Sequence, residues 1–197
     1  DWGPATYDVR NAASINEVYE LPFGARKRFL NRAGGWTHAL AGGWTANSIV
    51  TLQSGFPFTP QLSYNPSNNG DTKNPVRPFV NPNFHGNRII GKPAEWFNPA
   101  AFLAPPPGSG FFGNLRRDSL SGPGIGEWDF SMLKDTSLHE RMRLQLRAEF
   151  FNILNHTNFS TPNLVVFTPS GLSPTAGVIT STSTTSRQIQ LAAKLLW

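Results

Sequence analysis

The chain has no cysteine. That excludes a disulfide-stapled scaffold and any thiolate metal site. Charge is scarce as well: Asp, Glu, Lys and Arg make up 15% of the 197 residues, below the about one quarter usual for a soluble domain. No stretch approaches the about 18 consecutive apolar residues of a membrane helix. The opening Asp1-Trp2-Gly3-Pro4 has neither the basic nor the apolar region of a leader peptide, so a chain truncated at its N-terminus, or beginning after processing, is expected. What charge there is sums to +5. A basic balance suits nucleic acid or an anionic membrane surface. The cations are scattered, with Arg26-Lys27-Arg28 the only run and Arg116-Arg117 a lesser pair. No reader motif accompanies them, so nucleic acid is not expected as a partner.

Other residue types are abundant: 18 Gly, 17 Pro, 15 Phe and 6 Trp. With the many Asn, Ser and Thr, this composition predicts strands separated by long turns. Alternation with period two locates the strands. In Met142 to Phe150, Met142, Leu144, Leu146, Ala148 and Phe150 share one face, while Arg143, Gln145, Arg147 and Glu149 share the other. At the C-terminus Ile189, Leu191, Ala193, Leu195 and Trp197 lie opposite Gln188, Gln190 and Lys194, with Ala192 and Leu196 as apolar exceptions. A third strand spans about Trp128 to Asp135, its register spoiled by Leu133 and Lys134. Weaker signals cover Asp8 to Leu21 and Trp44 to Gln53, and Val178 to Thr182 suits a short further strand. Ser137-Leu138-His139-Glu140 reads as a tight turn, and the breaker-rich stretches Pro57 to Pro107 and Thr161 to Thr175 read as long external loops.

Soluble sandwiches alternate too. Three features favour a membrane-spanning sheet. The strands approach the about 10 residues that cross a bilayer at a tilt. Trp128, Phe150, Phe151 and Trp197 sit near strand ends, as interfacial aromatics do. Arg143, Gln145, Arg147 and Glu149 suit a wet lumen. The expected fold is therefore all-β, an antiparallel up-and-down meander forming the C-terminal part of an outer-membrane barrel with long loops. Five or six strands cannot close such a barrel, whose bacterial minimum is about 8.

Candidate chemistry is sparse. His38, His85, His139 and His156 are isolated, with no partner at metal-ligand spacing. Gly122-Pro123-Gly124-Ile125-Gly126 precedes a strand and lacks the lysine of a phosphate loop. Asp129 and Asp135 share a face, but at about 3.3 Å per residue they stand too far apart to act on one bond. Asn155 and Asn158 sit in glycosylation-like triplets that a bacterial outer-membrane protein would not use. No catalytic residue, metal or cofactor is expected. Glu149 reads as an ion-pair partner.

Several segments carry a family resemblance. They are Val18-Tyr19-Glu20-Leu21-Pro22-Phe23-Gly24, Gly42-Gly43-Trp44, Leu52 to Phe58, Trp96-Phe97-Asn98-Pro99-Ala100-Ala101-Phe102, Arg147 to Phe159, Ile179 to Thr182 and Arg187 to Trp197. Together they resemble the C-terminal barrel region of TonB-dependent receptors, in particular the Oar-like group whose members carry a carboxypeptidase-regulatory-like domain. The resemblance implies an outer-membrane transporter for a bulky ligand, in contact with lipid and powered through TonB. It also implies a last strand, Ile189, Leu191, Ala193, Leu195 and Trp197, read by the barrel-assembly machinery. Trp197 stands where the family usually ends in Phe. On this reading residues 1–197 are a partial barrel domain whose earlier strands, plug and regulatory domain are missing, so that TonB is engaged only through those missing parts. Two alternatives stand beside it: a soluble β-rich module binding carbohydrate on aromatic platforms such as Trp96, and a hydrolase.

Overall fold

The five alternating segments do pair. In the computed structural model, which describes residues 2–24, 26–32, 35–70, 76–139 and 141–197, one sheet holds β1 (Ala12–Glu20), β2 (Trp44–Gln53), β3 (Ile125–His139), β4 (Met142–Phe151) and β5 (Gln188–Leu196) in that spatial order. The pairings β3/β4 and β4/β5 are antiparallel. Leu21 N–H donates to Trp44 O at one end of β1/β2 and Ser54 N–H to Asn11 O at the other, so that pair is antiparallel too. The same holds for β2/β3, where Asp135 N–H donates to Gly43 O and Asn47 Nδ2 to Ser131 Oγ. The result is the expected up-and-down meander. Among the described residues β1 and β5 pair on one side only.

The chain divides into two compact units, a sheet unit of 12–52, 126–157 and 184–197 and a loop unit of 1–11, 53–125 and 158–183. Each stretch of the loop unit joins the sheet at the start of β1, β3 or β5 or at the end of β2 or β4. In an antiparallel meander all of these are the same end.

Glycine sets the spacing at both ends of β2. Gly43 has φ +73°, and a Cβ there would lie 2.2 Å from Asp135 O on β3. A Cβ on Gly55 would lie 1.8 Å from Gly122 O. Gly55→Ala therefore forces two backbones apart and is expected to cost at least about 1–3 kcal/mol, as overpacking does. Urea titration of the refolded protein checks this, and an unchanged midpoint would contradict the close approach.

Several boundaries differ from expectation. β3 continues through Leu133 and Lys134 to His139 instead of stopping at Asp135. His139 pairs with Met142 after a bulge between Ser137 and His139, so Ser137 to His139 belong to the strand and not to the turn expected at 137–140. Glu140 itself lies outside the described residues. β1 begins at Ala12, not Asp8. Val178–Thr182 is not a strand. Its backbone bonds go to scattered partners, Val178 N–H to Thr175 O and Ile179 N–H to Pro93 O, with one isolated bridge between Phe159 and Thr182. A short helix, α1 (Gly35–Ala41), precedes β2. At seven residues it spans too few turns to display a helical period.

The largest departure is the loop unit. The two stretches read as long external loops fold, together with Leu115 and Leu120 from the segment between them, around a core that also holds Phe58, Phe97, Ala101, Phe102 and Val166. The Phe97 ring lies 5.8 Å from Phe58 and meets Phe102 edge-on at 6.0 Å. Short ladders frame this core: Pro57–Phe58 with Leu120–Ser121, Phe79–Val80 with Phe102–Leu103, and Ile89–Lys92 with Glu95–Phe97. Val165–Thr168 pairs with Gly171–Leu172 and, in parallel, with Gln61–Leu62. Asn98 caps the 3-10 turn Pro99–Ala101 through its side-chain oxygen, which accepts from Ala100 N–H. Trp96-Phe97-Asn98-Pro99-Ala100-Ala101-Phe102 is thus the heart of this unit.

Candidate functional site: an amphipathic wall and a folded loop unit

Register decides what each face of the sheet presents. On one face Phe130, Met132 and Lys134 of β3 oppose Phe150, Ala148 and Leu146 of β4. These in turn oppose Ile189, Leu191 and Ala193 of β5, and Leu144 meets Leu195. Four of the five residues expected to share the terminal apolar face therefore continue the apolar face of β4. Trp197 follows the last strand residue and is exposed. Much of this face is open among the described residues: Leu191 is 77% and Ile189 59% exposed. A hollow of about 390 Å³ lies there, lined by Trp44, Met132, Leu146, Ala148, Leu191 and Ala193 and also by Arg147 and Ala192. A contiguous exposed apolar surface of this kind marks an interaction with another apolar phase.

The opposite face is polar. Arg143, Gln145, Arg147 and Glu149 lie together on it, as expected, opposite Ser137, Asp135, Leu133 and Ser131. Arg143 forks onto Asp135, Nη2 to Oδ2 at 2.8 Å and Nε to Oδ1 at 3.2 Å. Arg147 Nη1 reaches Glu149 Oε1 at 3.4 Å, so Glu149 is an ion-pair partner. Asp129 and Asp135 do not act together: Asp129 Oδ1 accepts from Asn152 N–H, while Asp135 holds Arg143.

Lys134 breaks the alternation yet stands on the apolar face, opposite Leu146. Its stem is buried and its Nζ leaves the sheet, donating to Leu40 O at 3.0 Å and Gly42 O at 2.6 Å. The ammonium also lies 5.0 Å from the centre of the Trp44 ring. A long aliphatic stem lets the charge reach polar partners without interrupting the strand. This is why the spoiled register in the sequence is no break in the structure.

One site was not foreseen. Asn152, just beyond β4, is buried at φ +49°. Its Nδ2 donates to His156 O and Thr185 O, and its Oδ1 accepts from His156 N–H. Asn155 Oδ1 accepts from Arg187 N–H, just before β5. The Asn residues of Arg147 to Phe159 thus tie the exit of β4 to the approach of β5. Left-handed asparagine with self-satisfying bonds is turn chemistry. The repeated Asn in Asn152-Ile153-Leu154-Asn155 was the available signal.

The remaining candidates stay apart. His85, His139 and His156 are exposed and separate, and the side chain of His38 lies outside the described residues. Among the described residues no three His, Asp or Glu converge as metal ligands. Trp96 is half-buried against the core, and its Nε1 donates to Ser121 O, so it offers no open stacking platform. Within the loop unit a polar cleft of about 510 Å³ is lined by Trp2, Asp8, Arg10, Arg116, Arg117 and Asp118, among others. Asp118, buried at φ +51°, exchanges two hydrogen bonds with Thr59 and so fixes the turn carrying the two arginines.

An antiparallel meander with one largely open apolar face, one charged face and its folded loops joined to one end defines a membrane-wall β protein. The chain matches the outer membrane beta barrel domain family over residues 1–190 and belongs to it. Its place is accordingly the outer membrane. No curated protein and no solved structure matches the chain.

Proposed function

We propose that this chain forms part of the wall and external loops of a TonB-dependent transport barrel of the Oar-like kind, taking up a bulky ligand. The observation that carries the reading is the loop unit, whose core is built wholly from segments attached to one end of the sheet. Long external loops are general to outer-membrane barrels; loops folded around a common core offer the ordered surface with which a receptor recognises its ligand. The charged face of Arg143, Gln145, Arg147 and Glu149 lines the lumen in this account, and the apolar face meets lipid. Both sheet edges take further strands, since a closed membrane barrel needs about 8 or more. The terminal strand, with Ile189, Leu191, Ala193, Leu195 and Trp197, is the segment the barrel-assembly machinery reads. No catalytic step, cofactor or nucleic acid enters.

The test is genetic. Disrupting the reading frame that encodes this chain should abolish uptake of one large solute, and disrupting TonB in the intact strain should abolish it equally. Uptake that persists without TonB would overturn the energy-coupled reading and leave a passive barrel.

A further inference from the structure

The connection between β1 and β2 has the composition of a membrane-surface anchor. Between Leu21 and Gly43 there are four cations, Arg26, Lys27, Arg28 and Arg32, and no acidic residue. Lys27 is bound at 2.6 Å to Glu20 at the end of β1. Arg26, Arg28 and Arg32 are exposed. They sit among exposed apolar side chains: Phe29, Leu30, Trp36 at 76% and Leu40 at 60%. Trp36 and Leu40 stand four residues apart on α1, one turn above the other. The cationic tip is built rather than loose. Phe29 N–H donates to Pro22 O and Gly24 N–H to Phe29 O, Phe23 stacks obliquely on Phe29 at 5.8 Å, and the Arg28 guanidinium lies 5.5 Å from the Phe29 ring.

Its attachment settles which side of the wall it belongs to. The C-terminal carbonyls of α1 are held by the apolar face: Lys134 Nζ takes Leu40 O and Gly42 O, and Trp44 Nε1 also donates to Leu40 O. Trp44 lines the hollow, and Lys134 stands opposite Leu146. The C-terminal end of α1 is therefore tied to the same face of the sheet that carries the apolar side chains. The same end of the sheet carries the short connection from His139 to Met142, which pair with each other, and short turns mark the periplasmic rim of such barrels.

From this we infer that residues 22–24, 26–32 and 35–41 form an interfacial anchor seated on the periplasmic leaflet. Trp36, Leu40 and Phe29 enter the headgroup boundary, and Arg26, Arg28 and Arg32 bind anionic phospholipid headgroups. The chemistry is that of an amphipathic surface element, apolar area plus attraction to anionic lipid. The inference rests on the outer-membrane placement and not on TonB coupling.

The test uses the closed barrel that contains this chain, reconstituted in phosphatidylcholine vesicles with and without phosphatidylglycerol, the lipids being brominated near the headgroup end of the acyl chains. The Trp36 signal is the difference between the wild type and Trp36→Phe. It should be quenched by brominated lipid and shielded from acrylamide when phosphatidylglycerol is present. The triple change Arg26→Gln, Arg28→Gln, Arg32→Gln should lower the seated-to-free ratio by roughly fivefold per charge, about a hundredfold in all, and erase the dependence on anionic lipid. A Trp36 signal open to acrylamide in both vesicles, or a triple variant that behaves as wild type, overturns the anchor. Quenching by lipid brominated at mid-chain of the signals remaining in Trp36→Phe reports insertion of the wall itself. If those signals stay unquenched, the membrane surface on which the inference stands is gone.

Discussion

Replacing Phe97 by alanine should unfold the loop unit while the sheet keeps its pairing. Phe97 is fully buried between Phe58 and Phe102 and touches the centre of the only cluster of buried hydrophobics among the described residues. Truncating a buried Phe costs about 3–5 kcal/mol, from lost transfer energy plus the cavity left behind. The ladders around it are two to four residues long, too short to hold without that core. Limited proteolysis of the membrane-inserted protein should then cut within 53–125 and 158–183, while β3 and β4 stay protected. Uncut loops in Phe97→Ala would mean that the core does not hold this unit. Simultaneous cleavage of the strands would mean that the two units do not melt separately.

The second large effect is expected at Asn152. Asn152→Ala removes three side-chain hydrogen bonds, to His156 O, His156 N and Thr185 O, and puts alanine at φ +49°, a region it disfavours. At about 1 kcal/mol per bond the loss is about 3 kcal/mol, more where the abandoned carbonyls stay dry. Asn152→Gly separates the two causes, since it relieves the backbone but restores no bond. Urea unfolding of the inserted protein should rank wild type above Gly, with Ala no more stable than Gly. A Gly variant as stable as wild type would show that the bonds contribute nothing.

These two residues mark the limit of what could be read from the chain. Strands β2 and β4 could be placed almost to the residue because alternation is local: Thr45, Asn47 and Thr51 against Trp44, Ala46 and Val50 need no distant partner to be recognised. The polar set Arg143, Gln145, Arg147 and Glu149 came out of the same period. The loop core is the opposite case. Phe58, Phe97 and Val166 meet only through contacts across long stretches of sequence, and ladders of two residues have no period to detect. Lys134 read as an interruption because a one-letter pattern cannot express a side chain that buries its stem and carries its charge elsewhere. Val178 to Thr182 looked like a strand from its β-branched content, yet its backbone groups are bonded to three separate segments. The family resemblance reached the barrel correctly, and its Trp96 to Phe102 and Arg147 to Phe159 segments mark the loop core and the asparagine corner.

On the proposed function β4 is a membrane wall with Leu144, Leu146 and Ala148 toward lipid and Gln145, Arg147 and Glu149 toward water. Because the chain has no cysteine, each single substitution to cysteine along β4 is the one thiol of residues 1–197, and the unsubstituted barrel gives the background. The decisive measurement is labelling of these six variants in intact outer membranes with a membrane-impermeant maleimide. The account predicts reaction at 145, 147 and 149 and protection at 144, 146 and 148, with protection lost when detergent replaces the bilayer. Uniform labelling, or protection at the odd-numbered positions instead, would contradict it.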